Sequence, residues 1–135
     1  MNVKNKTPLI ILFLVTIALA FLAILFTNIA SAIKSGEQAL ANLTLTDIDL
    51  SSIHDGTYIG EFKAGLVFAK VATTIEDKKI TEIKLIEHQN GKGRAAESIL
   101  NDMIAKQTTD VVMVSGATIS SKVIRKAIEN SLVQN

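Results

Sequence analysis

The sequence has no cysteine, one proline, no tryptophan and few aromatic residues of any kind. Without cysteine the chain forms no disulfide, zinc–thiolate site, iron–sulfur cluster or thiol nucleophile, so oxygen and nitrogen atoms must hold any cofactor. The formal net charge is only +1. Because the chain lacks a basic patch and aromatic stacking surfaces, we expect no nucleic-acid partner. With two histidines in the whole chain, we also expect no metal site built from imidazoles.

One long apolar run is present near the N-terminus, "PLIILFLVTIALAFLAILFTNIASAI", from Pro8 to Ile33. About 20 apolar residues span a bilayer core, so residues 1–33 are predicted to form an N-terminal membrane anchor. The alternative is a secretion signal cut after the small residues Ala30–Ala32. Cleaved signals have a shorter apolar region of about 7–15 residues, which favours the uncleaved anchor.

Charge beside this run predicts its orientation. Lys4 and Lys6 precede it, whereas Lys34 and Glu37 follow it without a basic cluster. The positive-inside rule then predicts a single-pass protein of the cell membrane, with a cytoplasmic N-terminus and an extracytoplasmic domain.

The exported part divides into a stalk, residues 34–54, and a domain, residues 55–135. The stalk contains "LTLTDIDL", whose alternation is compatible with a short strand or with a mobile spacer. In the domain, three stretches have strand composition, and in the third Thr81 is predicted to share a face with Ile83 and Leu85. The three stretches are "DGTYIGEF", "LVFAKVATTI" and "ITEIKLIEH".

Two later stretches have helical spacing instead. Their apolar stripes are Ala96, Ile99, Leu100, Met103 and Ile104, and then Val123, Ile124, Ala127, Ile128 and Leu132. The prediction is an α+β fold, a small antiparallel sheet of three or four strands followed by two helices and preceded by one transmembrane helix.

The turn before the second helix, "VSGATISSKVI", is a candidate anion site. Gly116 permits an unusual backbone shape and Ala117 leaves room for close approach. Hydroxyls follow at the start of a helix, where free N–H groups and the helix dipole favour a phosphate. Simple helix capping by serine or threonine is the alternative reading. The candidate residues are Ser115, Gly116, Ala117, Thr118, Ser120 and Ser121.

A second candidate wall is "HQNGKGRAAE". Gly91 and Gly93 allow a tight turn, while Lys92 and Arg94 can neutralise a phosphate. The turn begins at His88, and a histidine at a strand end is more often structural than catalytic. An ordinary strand-to-helix loop with solvated charges is the alternative.

Four blocks, "DGTYIGEF", "ITEIKLIEH", "NGKGRAAE" and "SGATISSKVIRKAIENSL", stand in an order that resembles the FMN-binding domain family. That family includes the C subunit of sodium-translocating NADH:quinone reductase and the G subunit of the related ferredoxin-dependent complex. The resemblance covers Asp55 to about Leu132. It implies FMN as cofactor, bound by the two candidate turns, and a flavin transferase that esterifies Thr118 to the FMN phosphate.

One position departs from the family pattern. The transferase motif has an aspartate three residues before the serine, where this chain has Val112, and Asp110 lies two residues earlier. Covalent attachment, noncovalent FMN and loss of the cofactor all remain open.

The resemblance implies a membrane-anchored extracytoplasmic electron carrier rather than a substrate-converting enzyme, and no catalytic residue is predicted. Its expected partners are a flavin transferase and a membrane redox complex or quinone-linked electron donor. The alternative is a cofactor-free or noncovalent flavin-binding interaction module of an envelope assembly.

Overall fold

A computed structural model describes residues 7–133 and begins with one long helix, α1, Thr7–Ala41. Its 35 residues make a rod about 50 Å long. The helix is long and apolar enough to cross a membrane, with a mean hydropathy of 3.2 over its most apolar window. It also continues past residue 33, so the first part of the predicted stalk extends the anchor helix. Both observations support a single-pass membrane anchor.

Three antiparallel strands follow, β1 (Gly56–Ala64), β2 (Val67–Glu76) and β3 (Lys79–Gln89), in the order β1-β2-β3. Two-residue turns join them. Asp77 and Lys78 both have positive φ, 49° and 63°, as a tight hairpin turn that follows the strand twist requires. The predicted antiparallel sheet is confirmed with three strands.

The face predicted for Thr81 is wrong, because β3 is not a regular strand. Thr74 pairs with Glu82 and Ile75 with Ile80, so Thr81 bulges out of the register and is exposed. A bulge adds one residue to a strand and shifts the alternation on either side of it. Ile80 and Ile83 therefore face the core together.

After the sheet come a 3-10 helix, Gly93–Ser98, and two helices, α2 (Ile99–Lys106) and α3 (Thr118–Val133). The α+β class is thereby confirmed. All five apolar stripe residues of α3 are buried, and so are three of the five in the earlier stripe; Leu100 and Ile104 are half-buried.

Helix α3 packs across one face of β1 and β2 and closes the core. Gly60 makes this close approach possible, since an added Cβ would meet the carbonyl oxygen of Ala127 and the amide nitrogen of Ser131. From β2, alternate residues Ala69, Val71 and Ile75 are fully buried beneath the helix. The core therefore lies between α3 and the sheet.

The second half of the predicted stalk packs against the domain. Leu50 and Ile53 are buried in the core. Asp47 Oδ1 accepts hydrogen bonds from Thr108 Oγ1 at 2.7 Å and from Thr109 N at 3.2 Å. The hydroxyl of Thr108, with smaller contributions from Thr109, holds the pKa of the Asp47 carboxyl below its ordinary value of 3.8. This segment is thus part of the folded unit.

The strand considered for "LTLTDIDL" is absent. Its residues adopt no regular secondary structure before a 3-10 turn at Leu50–Ser52. The reason is that the backbone of this segment forms hydrogen bonds with side chains rather than with a neighbouring strand. Glu129 Oε1 on α3 accepts from the backbone N–H of Thr46 at 3.0 Å, and no strand of the sheet lies alongside it.

An ion-pair network with buried Arg125 and Glu129 at its centre fixes the same segment to α3. Glu129 is 1% exposed, and its Oε1 accepts from Arg125 Nε at 3.0 Å. Arg125 Nη1 in turn donates to Asp110 Oδ1 at 2.7 Å. Because buried charges are costly unless paired, this arrangement makes the second half of α3 a structural element.

Candidate functional site

The two turns singled out in the sequence meet at the first turn of α3. Between them lies a cavity of about 200 Å³. One wall is the glycine turn after β3, the other is the Gly116 turn, and Val67 of β2 also lines the cavity. The lining residues are Val67, Asn90, Lys92, Gly93, Gly116, Ala117, Ile119 and Ser120.

The Gly116 turn is built to bring the chain sharply into α3. Gly116 has φ +77°, a left-handed conformation that favours glycine. The N–H of Ala117 donates to Val114 O at 3.0 Å and closes the turn. The first bond of the helical ladder then runs from Ser121 N to Ala117 O at 2.9 Å. Because the backbone N–H groups of residues 118–120 precede that ladder, they are donors for a ligand at the helix start.

The hydroxyl residues of this motif have different positions: one stabilises the turn, one lines the cavity, and two are exposed outside it. Ser121 Oγ is buried, donates to Ala117 O at 3.0 Å and accepts from Val114 N at 3.1 Å, so it holds the turn and does not line the cavity. Ser120 is 3% exposed and lines the cavity. Ser115 and Thr118 are both exposed and lie outside the lining. In sequence, Thr118 stands between the lining residues Ala117 and Ile119.

The opposite wall, the glycine turn, approaches α3 closely because Gly93 has no side chain. Gly91 has φ +53°, and the N–H of Gly93 donates to Asn90 O at 2.8 Å. An added Cβ on Gly93 would meet the hydroxyl of Ser120. Glycine at this position therefore permits the contact between the two walls.

The two basic residues of the glycine turn lie differently. Lys92 is exposed and lines the cavity, whereas Arg94 is exposed and lies outside the lining. Gly91 is also outside it. A single lysine thus places positive charge beside the first turn of α3, where the helix dipole adds to it.

His88 lies behind this wall, not in the cavity. Its side chain is 3% exposed and its Nδ1 lies 3.0 Å from Glu97 Oε1. Asn90 Nδ2 lies 3.1 Å from the same nitrogen and donates to His88 O at 3.3 Å. Among the described residues, His88 Nε2 is the one buried side-chain polar atom without a partner. His88 therefore supports Asn90, which does line the cavity.

Three lining residues were missed from sequence. Asn90 has a usable signal, since an Asn-Gly pair after a strand marks a turn, but nothing local shows which way its side chain lies. Val67 and Ile119 are ordinary apolar residues of a strand and a helix. Only the packing of α3 on β2 brings them together.

The structure also places the residues of the attachment motif. Val112 is 79% exposed, so the position that holds aspartate in the family pattern faces solvent. Asp110 is directed to Arg125 of α3 and belongs to the structural network.

A phosphate group fits the cavity by its chemistry. The site joins free helical N–H groups, a lysine, an amide and a hydroxyl, with no carboxylate among the lining residues. Open space surrounds Gly116, where an added Cβ would meet nothing within 4 Å. A larger concavity, about 540 Å³, lies along α1 around Leu22 and Phe26; it is wholly apolar, as expected of a helix surface that contacts lipid.

Comparison with known proteins agrees with this geometry. No curated protein matches the chain. The sequence profile described as the FMN-binding domain matches residues 67–133, from β2 to the end of α3. The match includes both walls of the cavity and starts later than the resemblance at Asp55 suggested. Residues 67–133 therefore belong to the FMN-binding domain family, and FMN is the cofactor that this membership indicates.

Proposed function

We propose that the chain is a membrane-anchored, extracytoplasmic flavoprotein that carries electrons, with the phosphate of FMN at the first turn of α3. The observation that supports this most is the cavity between the Gly93 and Gly116 turns, within the stretch that matches the family. Bound FMN supplies reversible redox chemistry, and the protein supplies its position and electrostatic surroundings.

Four groups are suited to hold the phosphate end. The N–H groups at the start of α3 donate to phosphate oxygens, and Lys92 adds a positive charge. Ser120 and Asn90 are within the lining, and they supply a hydroxyl and an amide as further polar groups. Asn90 Nδ2 donates to His88 O at 3.3 Å, and this bond holds the amide against the end of β3.

Covalent attachment is proposed through Thr118. Its exposure, and its place in sequence between two lining residues, support access of a flavin transferase to this residue. Thr118 Oγ1 attacks the FMN phosphorus of a flavin dinucleotide donor, the P–O bond of the donor's phosphoanhydride breaks, and the hydroxyl proton leaves with the released nucleoside monophosphate. Oγ1 is then the ester oxygen of a phosphodiester, and the mass gain equals FMN less one water. The negative phosphodiester then lies at the positive end of the helix dipole.

The partners and orientation are part of the same proposal. The two lysines before α1 and the long apolar helix support a cytoplasmic N-terminus and an extracytoplasmic domain. The expected partners are a flavin transferase and a membrane redox complex or quinone-linked donor.

The test is the intact mass of the full-length chain co-expressed with a flavin transferase and FMN supply. We expect the native chain to gain FMN less one water, Thr118→Ala to gain nothing, and Ser98→Ala, which removes an exposed hydroxyl outside the motif, to gain as the native chain does. A native chain that neither gains mass nor retains FMN would contradict the proposal.

Val112 favours a second candidate function, because it is exposed at the position where the attachment motif has aspartate. In this second candidate the chain is an interaction module that binds FMN noncovalently or does not bind it. In that case the native chain gains no mass while Val112→Asp does. Retained FMN after gel filtration in detergent then separates noncovalent binding from loss of the cofactor.

A further inference from the structure

A second cavity, of about 220 Å³, adjoins the one at the start of α3. Val67 and Ile119 line both cavities, so the two form one continuous groove. The groove runs from the Gly116 turn towards the membrane helix.

The two halves of this groove differ in chemistry. The half at α3 has amide, hydroxyl and lysine groups in its lining. The other half is lined mainly by apolar side chains from α1 and from the β1–β2 turn, with Glu37 as its one ionisable residue. FMN has a similar division, with a phosphate and a polyhydroxyl chain at one end and, at the other, a flat tricyclic ring whose faces and dimethylbenzene edge are apolar.

The membrane helix forms one side of the apolar half. Ile33, Gly36, Glu37 and Leu40 line it, and their spacing of three, four and seven residues places them on one face of α1. The contact between α1 and the domain is tight because an added Cβ on Gly36 would lie 2.8 Å from Gly65 Cα. The helix face is thus fixed against the β1–β2 turn.

Two large side chains of the domain complete this half and are open to solvent. Leu66 is 59% exposed and Ile119 is 50% exposed. Exposed apolar groups gathered around a groove mark a binding surface, and continuity with the FMN phosphate site indicates which ligand covers them.

We propose that the apolar half of the groove holds the isoalloxazine ring of FMN, so that the membrane helix itself is part of the flavin site. The inference rests on the proposed function. Ile33 ends the apolar run and Leu40 lies about 10 Å further along the helix axis. The ring then lies beside the turns of α1 that directly follow the bilayer core.

The test uses the full-length chain in detergent, loaded with FMN, and measures quenching of flavin fluorescence by iodide. Two matched pairs of variants are compared. Leu66→Ser removes a groove residue, while Ile59→Ser removes an equally exposed residue, 57%, on β1. Leu40→Ser removes a half-buried residue of the α1 face, while Leu45→Ser removes a half-buried residue outside the groove.

We expect Leu66→Ser and Leu40→Ser each to raise the quenching constant several-fold over the native chain, and both controls to leave it within error. Hydrogen exchange checks that each variant keeps its fold. Unchanged quenching in Leu66→Ser and Leu40→Ser, with FMN retained, overturns the inference and leaves the proposed function intact; a lipid acyl chain in the groove gives this result. If the quenching constant rises for Leu66→Ser but not for Leu40→Ser, the claim that the membrane helix is part of the site is overturned. A native chain that takes up no FMN overturns both proposals.

Discussion

The two ends of α3 contain similar residue types but serve different purposes. Near its C-terminus the polar side chains of Glu129 and Ser131 are buried, and each is paired, Ser131 Oγ donating to Ile128 O at 2.7 Å. At its N-terminus Ile119 is half exposed, Thr118 faces solvent, and the first N–H groups precede the helical ladder. At one end the buried polar side chains are paired within the chain, whereas at the other the backbone N–H groups of residues 118–120 precede the helical ladder.

The comparison shows how to separate structural polar residues from functional ones in this fold. A buried polar group with protein partners contributes to stability. A group near a cavity with donors to spare contributes to binding. Changes at the C-terminal half of α3 should therefore reduce stability first, and changes at its first turn should reduce FMN binding first.

The largest expected effect is from Glu129→Ala. It leaves Arg125 buried with only part of its pairing and frees the N–H of Thr46, so we expect a loss of about 3 kcal/mol in the free energy of unfolding. Urea titration of the detergent-solubilised chain, followed by the fluorescence of its one tyrosine, Tyr58, measures this. Glu129→Gln keeps a neutral acceptor for Arg125 and Thr46 and should lose less. Equal losses for both variants would show that the neutral acceptor contributes nothing and that the whole effect depends on the charge.

A smaller loss is expected from Gly60→Ala. The new methyl group meets the backbone of α3, with Ser131 Cα 2.7 Å away, so helix and sheet must separate at a cost of about 2 kcal/mol. Gly91→Ala is the control, since open space surrounds that position and only its positive φ costs about 1 kcal/mol. If the two variants unfold at the same urea concentration, the close approach of α3 is not what Gly60 provides.

At the other end of α3, Gly93→Ala should affect binding more than stability. The added methyl would lie 2.7 Å from Ser120 Cβ and force the two walls apart, and we expect FMN affinity in the Thr118→Ala background to fall about tenfold, or about 1.4 kcal/mol. Equilibrium dialysis measures the affinity. The double variant Gly93→Ala, Ser120→Gly restores the space and should recover part of it. An unchanged affinity in Gly93→Ala would contradict the placement of the site.

The smallest effect concerns Asp47 and pH. Its folded-state pKa is lowered by the hydroxyl of Thr108, so its contribution to stability is fully present above about pH 5 and is lost as the pH falls through the folded-state pKa. The native chain should therefore lose stability relative to Asp47→Asn between pH 5 and the lower pKa, with FMN content unchanged. Urea titrations of both proteins at pH 6 and pH 3 test this. If the free energies of unfolding of the native chain and Asp47→Asn differ by the same amount at both pH values, the prediction is contradicted.

Most of the fold follows from local patterns. The helical stripe of α3 predicted its buried face because period and burial coincide over 16 residues. The bulge at Thr81 was not predictable, because register depends on the neighbouring strand and leaves no mark in the sequence of β3 itself. The packing of Leu50 and Ile53 was missed for a similar reason, since their partners are distant in the chain.

The candidate site was predictable where backbone geometry determines it. Gly116 and Gly93 were identified from their residue type, and the structure brings their turns together. Ser121 illustrates the limit. A serine at the first turn of a helix can bind either a ligand or the backbone, and only the structure shows that the Ser121 hydroxyl accepts from the backbone N–H of Val114. Arg94 and Lys92 could not be told apart, because the direction of a side chain in a loop depends on the wall it meets.

The contact between Gly36 and Gly65 also links the domain to the physical state of the membrane. A transmembrane helix that is too long for a thin bilayer tilts to fit it. Since α1 runs without interruption from the apolar run to this contact, the domain must lean with the helix. Bilayer thickness then sets the angle and height at which the domain stands above the lipid headgroups.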